Sequence, residues 1–499
     1  MTIRPSQLSI KKPLEDLRRR IENGMVKCGI PGLSVAVLHK GEIIFAEGFG
    51  KRNEQDPFTA ETLSPIGSLT KAFTATAIGE LVAEGKLDWD KTPVSEYLPE
   101  FQLKDPVLTS QLTMDDLLSH RTGVPRLDRE WAYRKEPRLE LIKCLRHVDA
   151  PPKLGSAVLY NNMMYAVAGE AAATVAGMPY EKLVEEKVIG PLKLSNTGFS
   201  PMEMKKRPNH AMPFTANSLE DAQNGLFHMH PLDEVYMQDS PAGDMYSNVF
   251  DMVHWGKVVM AEGKVGDEQT LNKDSVRRTL TATSIMDASD QRRSPDFGAV
   301  VTYGLGWGLD SYKGHVHYRH SGAISGFQSK LKVFPDDDLV IAHLYNVEYA
   351  TFDASYDIVD ELLGLPKTED WILDWSFNIT KRDYEEFAKE IVGDLPKRVP
   401  NTDSLHDLEA FEGEYFSPIQ GAAIVSLFRN EETGEMTLRF SLGLWPVHEL
   451  EHYHYDIFLV RLMERGVELK ELAVFKTEAN GAVDGFVLSG NEFKRVHSF

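Results

Sequence analysis

The sequence predicts a mixed α/β fold of the α+β type, followed by a small antiparallel β-barrel. Two observations predict it. The first part of the chain contains both long helical runs, such as residues 163–177, and an alternating strand-like run at 326–334. From Leu408 onward the chain instead consists of short strand-like runs separated by turn residues. With 499 residues, of which 42% are hydrophobic, the chain can bury more than one core.

The first helical run opens with a serine and a lysine that are one helical turn apart. Ser68 and Lys71 occupy positions i and i+3, so their side chains share one helix face if the helix begins near Gly67. An apolar stripe continues the pattern, and Gly85 marks its predicted end. A hydroxyl beside an amine at a helix N-terminus is the layout of a serine nucleophile with a lysine base, and the free N–H groups there suit an oxyanion.

This spacing is weak evidence when it stands alone. Ser9–Lys12 and Ser329–Lys332 have the same spacing, so it also arises by chance. The structural alternative is an N-cap serine followed by a solvated lysine in the first helical turn.

Two later segments supply chemical partners in a consistent order. Tyr160-Asn161-Asn162 directly precedes the helical run 163–177, and a phenol in that position can carry a proton to or from the nucleophile. His320-Ser321-Gly322 adjoins the strand-like run. A glycine there lets the backbone approach a substrate, and the next N–H can complete an oxyanion hole.

With these three motifs in this order, the chain resembles the serine β-lactamase and penicillin-binding-protein superfamily, most closely its class C-like branch of esterases and D-aminopeptidases. That family has Ser-x-x-Lys, then Tyr-x-Asn, then Lys-Thr-Gly or His-x-Gly. Further resembling segments are Pro31–Val37, Leu117–Gly123 and Tyr303–Leu309, so the resemblance covers roughly residues 12–365. It implies a β-lactamase/transpeptidase-like domain, with an antiparallel sheet flanked by helices and an all-helical subdomain.

The resemblance also implies a role for each motif residue. Ser68 would be the nucleophile, Lys71 its activating partner and Tyr160 a general base or acid. Three residues would bind or position the substrate: Asn162, His320 and Gly322. The backbone N–H groups of Ser68 and Ala323 would form the oxyanion hole.

Two further pattern matches compete with these assignments. Tyr246–Asn248 also fits Tyr-x-Asn, but its surroundings resemble the family's segment that leads into a later helix, so Tyr160 is preferred. Gly322–Gly326 fits the Gly-x-Ser-x-Gly elbow of an α/β-hydrolase, in which a helix follows the serine at once. An alternating strand follows Ser325 instead, so Ser325 is predicted to lie in a strand or turn, with an α/β-hydrolase as the mechanistic rival.

The third motif bears on the substrate, because His320 stands where β-lactamases place a lysine. Histidine is largely neutral at pH 7, so efficient penicillin hydrolysis is not expected. The predicted function is a serine hydrolase that acts through an acyl-enzyme on an ester, amide or peptide bond of a small molecule or short peptide, D-amino acids included. The alternatives are an acyltransferase or peptide cyclase with the same acyl-enzyme, and a catalytically silent homologue that binds such a ligand.

Composition and charge narrow the possible partners, cofactors and location of the protein. A formal net charge of −21 argues against nucleic acid or an anionic membrane as partner. No apolar run approaches the roughly 18 residues of a membrane span, and the N-terminus lacks the apolar stretch of a secretory signal. Cys28 and Cys144 form no disulfide framework, although one bridge between them stays open. We therefore expect a cytoplasmic protein without cofactor or metal, and homo-oligomers are left open.

The change of pattern near residue 400 predicts a domain boundary. Residues 1–395 would form the hydrolase domain with its connector, and 404–499 a barrel, with hairpin loops at 430–434 and 479–481. This tail resembles the lipocalin-like domain that accompanies some members of the family. His452 and His454 fall on one predicted strand face, which raises a zinc site, but no convincing further ligand is evident and a structural role is preferred.

Overall fold

The computed structural model describes residues 14, 16–132, 134–150, 158–232, 240–286, 294–392, 395–429, 434–464 and 467–496. By their mutual contacts these residues form two units. One lies within Met1–Arg126 and Asp149–Tyr384, and the other within Leu127–Val148 and Glu385–Phe499. The Ser9–Lys12 match and most of the predicted loop 430–434 lie outside the described residues.

Fifteen strands are described in the first unit. They are β1 (Gly32–His39), β2 (Glu42–Gly50), β3 (Ser64–Pro65), β4 (Gly198–Phe199), β5 (Phe214–Thr215), β6 (His228–Met229), β7 (Met245–Ser247), β8 (Lys264–Val265), β9 (Glu268–Gln269), β10 (Ser284–Met286), β11 (Val301–Tyr303), β12 (Gly308–Tyr312), β13 (His315–Ile324), β14 (Phe327–Phe334) and β15 (Leu339–Tyr345).

Eight of these strands form one antiparallel sheet in the order β10-β11-β12-β13-β14-β15-β1-β2. The N-terminal hairpin of β1 and β2 therefore extends the sheet beyond β15, and β13 and β14 lie near its middle. The pairs β3-β7 and β4-β7 form a smaller antiparallel sheet. The large antiparallel sheet predicted for this domain is confirmed.

Sixteen α-helices are described in the two units together. They are α1 (Leu17–Cys28), α2 (Thr70–Ala83), α3 (Val94–Tyr97), α4 (Pro106–Thr109), α5 (Met114–Leu118), α6 (Asp128–Ala132), α7 (Arg138–Cys144), α8 (Asn162–Ala176), α9 (Tyr180–Val184), α10 (Pro201–Lys205), α11 (Leu219–Gln223), α12 (Ser240–Gly243), α13 (Val249–Met260), α14 (Lys273–Thr279), α15 (Ser355–Leu363) and α16 (Ser376–Val392). Two helical turns matter below: a 3₁₀ turn at Gly67–Leu69 and a π-helical turn at Trp371–Trp375.

Strand β1 of the large sheet is buried on both faces, and the alternation of its side chains shows how. Leu33, Val35 and Val37 point into a core shared with α1, α15 and the π-helical turn. Ala36 and Leu38 point into a second core, shared with α2 and α13. Because both faces are covered, β1 is buried along its whole length and its sequence is almost uninterruptedly apolar.

Three elements predicted from local pattern are confirmed. Helix α2 begins directly after the 3₁₀ turn that holds Ser68, and it ends just before Gly85, which has a left-handed φ of 71°. Helix α8 follows Tyr160 and Asn161 and ends at Gly177 in the left-handed conformation. Ser325 lies in the two-residue turn of the β13-β14 hairpin, so the chain has no α/β-hydrolase elbow there.

The second unit contains a closed antiparallel barrel, as predicted, and the barrel has eight strands. They are β16 (Gly413–Ser417), β17 (Gly421–Arg429), β18 (Met436–Leu442), β19 (His448–His454), β20 (Ile457–Glu464), β21 (Val467–Thr477), β22 (Val483–Leu488) and β23 (Asn491–Arg495). Pairing of β16 with β23 closes the barrel. Its interior is filled by buried aromatic rings, among them Phe440, Phe475 and Phe486. The turn predicted at 479–481 joins β21 to β22.

Helices α6 and α7 group with the barrel although they precede it by more than two hundred residues. The Arg134 guanidinium donates to the Ile419 carbonyl at a barrel turn and to Glu136 at 2.9 Å. Asn491 donates to Glu130 at 3.4 Å. No sequence pattern indicated that this segment associates with the C-terminal strands.

Two smaller predictions concern cysteines and membrane spans. Cys28 and Cys144 are both free thiols. Among the described helices, none has both the length and the hydropathy that crossing a bilayer requires.

Candidate active site

The turn that carries Ser68 lies directly against strand β13. Gly67 has a φ of 51°, and a Cβ atom added to it would lie 2.8 Å from the Ala323 backbone nitrogen. A Cβ added to Gly322 would lie 2.0 Å from the Ile66 carbonyl oxygen. Both contacts require glycine, so the two glycines bring Ser68 beside the backbone of Ala323.

A third residue fastens this turn to the sheet. The Ser329 hydroxyl on β14 donates to the Ile66 carbonyl at 2.6 Å. Ser329 belongs to a chance match of the Ser-x-x-Lys spacing, and its role here is structural.

Lys71 is fully buried, and its amino group has three oxygen neighbours. The Nζ atom lies 3.0 Å from Ser68 Oγ, 2.7 Å from Asn162 Oδ1 and 2.8 Å from the Ala242 carbonyl oxygen. A neutral amine has two N–H groups, for Asn162 and Ala242, and a lone pair that can accept the Ser68 hydroxyl proton. The same three contacts fit an ammonium that donates to all three. The arrangement can therefore take a proton from Ser68 and then hold it.

Helix α12 presents the Ala242 carbonyl to Lys71. The Thr74 hydroxyl of α2 donates to the Pro241 carbonyl at 2.6 Å and so fixes α12 beside α2. Sequence reasoning did not include Ala242, because a backbone carbonyl leaves no signature in the residue type.

Tyr160 lies on the other side of the lysine. Lys71 Nζ is 4.8 Å from the centre of the Tyr160 ring and 5.3 Å from that of Tyr165. Asn161 holds the start of α8 by accepting the Met164 N–H at 3.1 Å, and Asn162 is the first residue of that helix. Local capping of α8 therefore places Tyr160 and Asn162 together at the lysine.

His320 is held in a defined tautomer. Its Nδ1 lies 2.6 Å from the Ser321 carbonyl oxygen, which can only accept, so Nδ1 carries the proton. Its Nε2 then accepts from the Tyr303 hydroxyl at 2.9 Å. Burial, reinforced by the Lys71 charge, lowers the pKa of His320 to about 3. The imidazole is neutral at pH 7 and does not replace the charge of the lysine that β-lactamases have there.

His120 is a site residue to which the sequence analysis gave no role. It is fully buried, has a left-handed φ of 62°, and packs against the rings of Tyr160, Tyr165 and Tyr303 at 4.3, 5.3 and 4.9 Å. Its Nδ1 accepts the Asn161 N–H at 3.1 Å. Burial and the Lys71 charge hold the pKa of His120 well below its usual value, so the neutral ring can act as this acceptor. The segment Leu117–Gly123 drew attention to it, but only the fold shows what it contacts.

In the competing match, Tyr246 and Asn248 have structural roles. Tyr246 lies in β7, paired with β3 and β4. Asn248 is the N-cap of α13, where its side chain accepts the Asp251 N–H at 3.0 Å.

The two histidines considered for zinc have backbone partners. A β-bulge separates His452 from His454 in β19. His452 Nε2 lies 2.9 Å from the Tyr455 carbonyl, and His454 Nδ1 accepts the Val399 N–H at 3.3 Å. Within the described part of the chain, no three His, Cys, Asp or Glu side chains are grouped as a metal site would require.

Two curated fungal proteins are similar to this chain. The unguisins hydrolase of Aspergillus violaceofuscus is 27% identical over 393 residues, which cover 74% of this chain and 68% of the relative. The unguisins hydrolase of Aspergillus campestris is 26% identical over 500 residues, which cover 94% of this chain and 88% of the relative.

A solved structure shares the fold over almost the whole chain. The octameric penicillin-binding protein homologue from Pyrococcus abyssi superposes with a TM-score of 0.61 and 22% sequence identity. The superposition covers 96% of this chain and 99% of that protein. At this identity the likeness concerns the fold alone.

The family assignment follows from the match over the first unit. The family model described as Beta-lactamase matches residues 17–365, which include the Ser68 turn, the Tyr160–Asn162 segment and strand β13. This range agrees with the resemblance noted from the three motifs. The chain belongs to the Beta-lactamase family.

Proposed function

We propose that the protein is a serine hydrolase that opens an ester or amide bond of a small molecule or short peptide through an acyl-enzyme. The observation that carries the proposal is the position of Lys71 Nζ, 3.0 Å from Ser68 Oγ and tied to Asn162 and Ala242 on its other sides. The names of the two fungal relatives, both hydrolases, support this class of reaction.

The proposed cycle has two steps. Ser68 transfers its hydroxyl proton to Lys71, with Tyr160 as the neighbouring proton carrier, and Oγ forms a bond to the carbonyl carbon. The N–H groups of Ser68 and Ala323 hold the oxyanion of the tetrahedral intermediate. Tyr160 protonates the leaving alcohol or amine as its bond to the acyl carbon breaks, and the Lys71 ammonium passes the proton it took from Ser68 back to Tyr160. Water then attacks the acyl-Ser68 ester, which releases the acid and returns the proton to the serine.

The third motif guides the choice of substrate. Because His320 is neutral, its side chain offers no fixed positive charge for a carboxylate of the kind β-lactams carry. We therefore propose an uncharged or weakly anionic ester, amide or short peptide, with D-amino acids within the range, and Asn162, His320 and Gly322 as positioning groups.

Covalent labelling tests this proposal. The protein is incubated briefly with p-nitrophenyl acyl esters, D- and L-amino-acid p-nitroanilides and a β-lactam, and its peptides are mapped by mass spectrometry. We expect an adduct on Ser68 and product release for some esters or anilides. Ser68→Ala should give neither, whereas Ser325→Ala should keep both.

Four outcomes would contradict the proposal or redirect it. Turnover near the wild-type rate by Ser68→Ala, or an adduct on Ser325, would end it. Ligand binding without adduct or product would favour a silent binding protein. Conversion of an added amine into an amide product, at the expense of the free acid, would favour acyl transfer over hydrolysis.

A further inference from the structure

Strands β13 and β14 carry a group of cations on the face of the sheet that lies away from Ser68. Their register pairs Arg319 with Lys332 and Ser321 with Lys330. Alternation places these four side chains opposite Gly322 and Ser329, which face the Ser68 turn. The sequence alone indicated no role for these residues.

A cavity of about 80 Å³ lies against this group. Its lining includes Arg319, Lys330, Lys332, Asp353, Tyr356 and Trp375. The cavity is large enough for several water molecules or for one small polyatomic ion. Ser321 also lines it and is exposed, so solvent reaches this edge of the cavity.

The cations in the lining outnumber the carboxylates. Asp353 serves both lysines, at 2.5 Å from Lys332 Nζ and 3.6 Å from Lys330 Nζ, and its other oxygen accepts the Ser355 N–H at 2.9 Å. Arg319 lies 3.6 Å from Asp310. Asp353 is therefore the one carboxylate in ion-pair contact with the two lysines, and Asp383 is a further negative charge that acts on Lys330, in a largely buried place of a chain whose formal charge is −21. Buried charges of one sign are unfavourable unless counter-charges compensate them.

Two groups near the cavity have lowered pKa values, mainly through burial, and the neighbouring cations add to the lowering. Burial, together with the charges of Lys330 and Arg319, lowers the pKa of Lys332 to about 7 despite the opposing effect of Asp353. Burial is also the main reason that the pKa of His343, on the paired strand β15, falls to about 3, and both lysines contribute to that fall. A second negative charge in the cavity would relieve this repulsion.

We infer that this cavity is a binding site for a small oxyanion, either the carboxylate of a small organic acid or an inorganic sulfate or phosphate. Lys330, Lys332 and Arg319 are the donors that such an ion needs, and charge-assisted hydrogen bonds to them are the strong kind. Tyr356 and Trp375 form apolar walls, and Lys332 Nζ already lies 3.5 Å from the centre of the Tyr356 ring. Ser68 does not line the cavity, although its neighbour in the candidate site, His320, does; the inference does not rest on the proposed hydrolase activity.

Binding to the intact protein tests this inference. Sulfate, phosphate, acetate and butyrate are titrated at constant ionic strength, and the stoichiometry and dissociation constant are measured by calorimetry, with the thermal midpoint as a second readout. We expect one ion per chain and a higher midpoint with the bound ion. Binding of sulfate or phosphate would indicate an inorganic ion, and binding of the acids alone an organic carboxylate.

Variants locate the binding. Lys330→Gln should weaken binding by about tenfold or more, because it removes one charge-assisted contact. Lys330→Arg keeps that contact, so its dissociation constant should stay within about threefold of the wild-type value. Lys257→Gln, which removes a partly exposed lysine on α13 that contacts the Gly41 carbonyl, should change nothing. If Lys330→Gln does not fold, Arg319→Gln takes its place. The inference is overturned if none of the four ions binds, or if binding survives unchanged in the cavity variants; its loss in Ser68→Ala would then place the ion at Ser68.

Discussion

The Nζ atom of Lys71 lies closer to Asn162 Oδ1, at 2.7 Å, than to the Ser68 Oγ atom that it would activate, at 3.0 Å. Asn162 is a neutral acceptor, so it orients the lysine without adding a negative charge that would favour the ammonium. The Asn162 amide therefore positions Lys71 and leaves its amino group able to accept a proton.

Replacing this amide by a carboxylate should impair catalysis more than it impairs folding. Asn162→Asp places a negative charge beside Lys71 and favours its ammonium form, which cannot accept the Ser68 proton. We expect kcat to fall by about a hundredfold, the usual range for loss of a general base. Steady-state kinetics with a p-nitrophenyl ester measures it.

Asn248→Asp is the matched control for that variant. Asn248 also follows a Tyr-x pattern, but it caps α13, and aspartate caps a helix as well as asparagine does. Its kcat should stay at the wild-type value. Equal losses in the two variants would argue against a special role for Asn162.

Substitution of two tyrosines distinguishes the Tyr160–Asn162 motif from the competing Tyr246–Asn248 match. Tyr160→Phe removes the hydroxyl of the ring whose centre lies 4.8 Å from Lys71 Nζ, and we expect kcat to fall by about 10²- to 10⁴-fold through loss of proton transfer. Tyr246→Phe alters only the small sheet of β3, β4 and β7 and should keep kcat. Comparison of the two rates at several pH values checks this, and the reverse order would move the motif to Tyr246.

Gly322 should tolerate no side chain. A Cβ atom there would lie 2.0 Å from the Ile66 carbonyl, and a backbone atom in a packed turn cannot yield easily. We expect Gly322→Ala to destabilise the protein by about 3 kcal/mol and to lower activity, since overpacking has costs of this size. In Gly308→Ala on β12, the nearest atom to the new Cβ is 3.3 Å away, so the effect should stay below about 1 kcal/mol. Urea unfolding measures both, and equal stabilities would refute the close contact.

The barrel contains a histidine that should stabilise it at low pH. His406 Nδ1 lies 2.8 Å from Asp456, and Nε2 lies 2.8 Å from the Gly481 carbonyl, so both nitrogens face acceptors and the ring is best satisfied when doubly protonated. The hydrogen bond to Asp456, followed by that to Gly481, raises the pKa of His406 above its usual value. The resulting stabilisation is complete below about pH 6.5, the pKa in the unfolded chain, and is lost as pH rises through the higher folded pKa.

Hydrogen exchange of the β21-β22 hairpin at pH 5.5 and 8.5 tests this effect. The difference in protection between wild type and His406→Gln should be largest at pH 5.5 and small at pH 8.5. His452→Gln, on β19 of the same barrel, serves as a control and should follow the wild type. A constant difference between wild type and His406→Gln at the two pH values would exclude the proposed protonation.

Some residues of the candidate site could be predicted from the sequence and others could not. The i, i+3 spacing drew attention to Ser68 and Lys71, and the family resemblance, which rests on three motifs in order, selected them together with Asn162; the structure brings these three side chains together. His120 and the Ala242 carbonyl were not found. The contacts of His120 depend on a left-handed backbone turn and on three rings from distant segments, and a carbonyl has no sequence signature.

By itself, the sequence determined the local features of this protein: the helix after Ser68, the helix that begins at Asn162, the strand or turn at Ser325 and the run of short barrel strands. Each depends on residues within a turn or a strand of one another, where steric and hydrogen-bonding preferences act directly. Only the tertiary structure decided that Lys71 meets residues 91 and 171 positions away, and that Arg319, Lys330 and Lys332 share one cavity with Asp353. Such contacts form when buried apolar faces bring distant segments together, and the hydrophobic effect that drives this has no direction of its own.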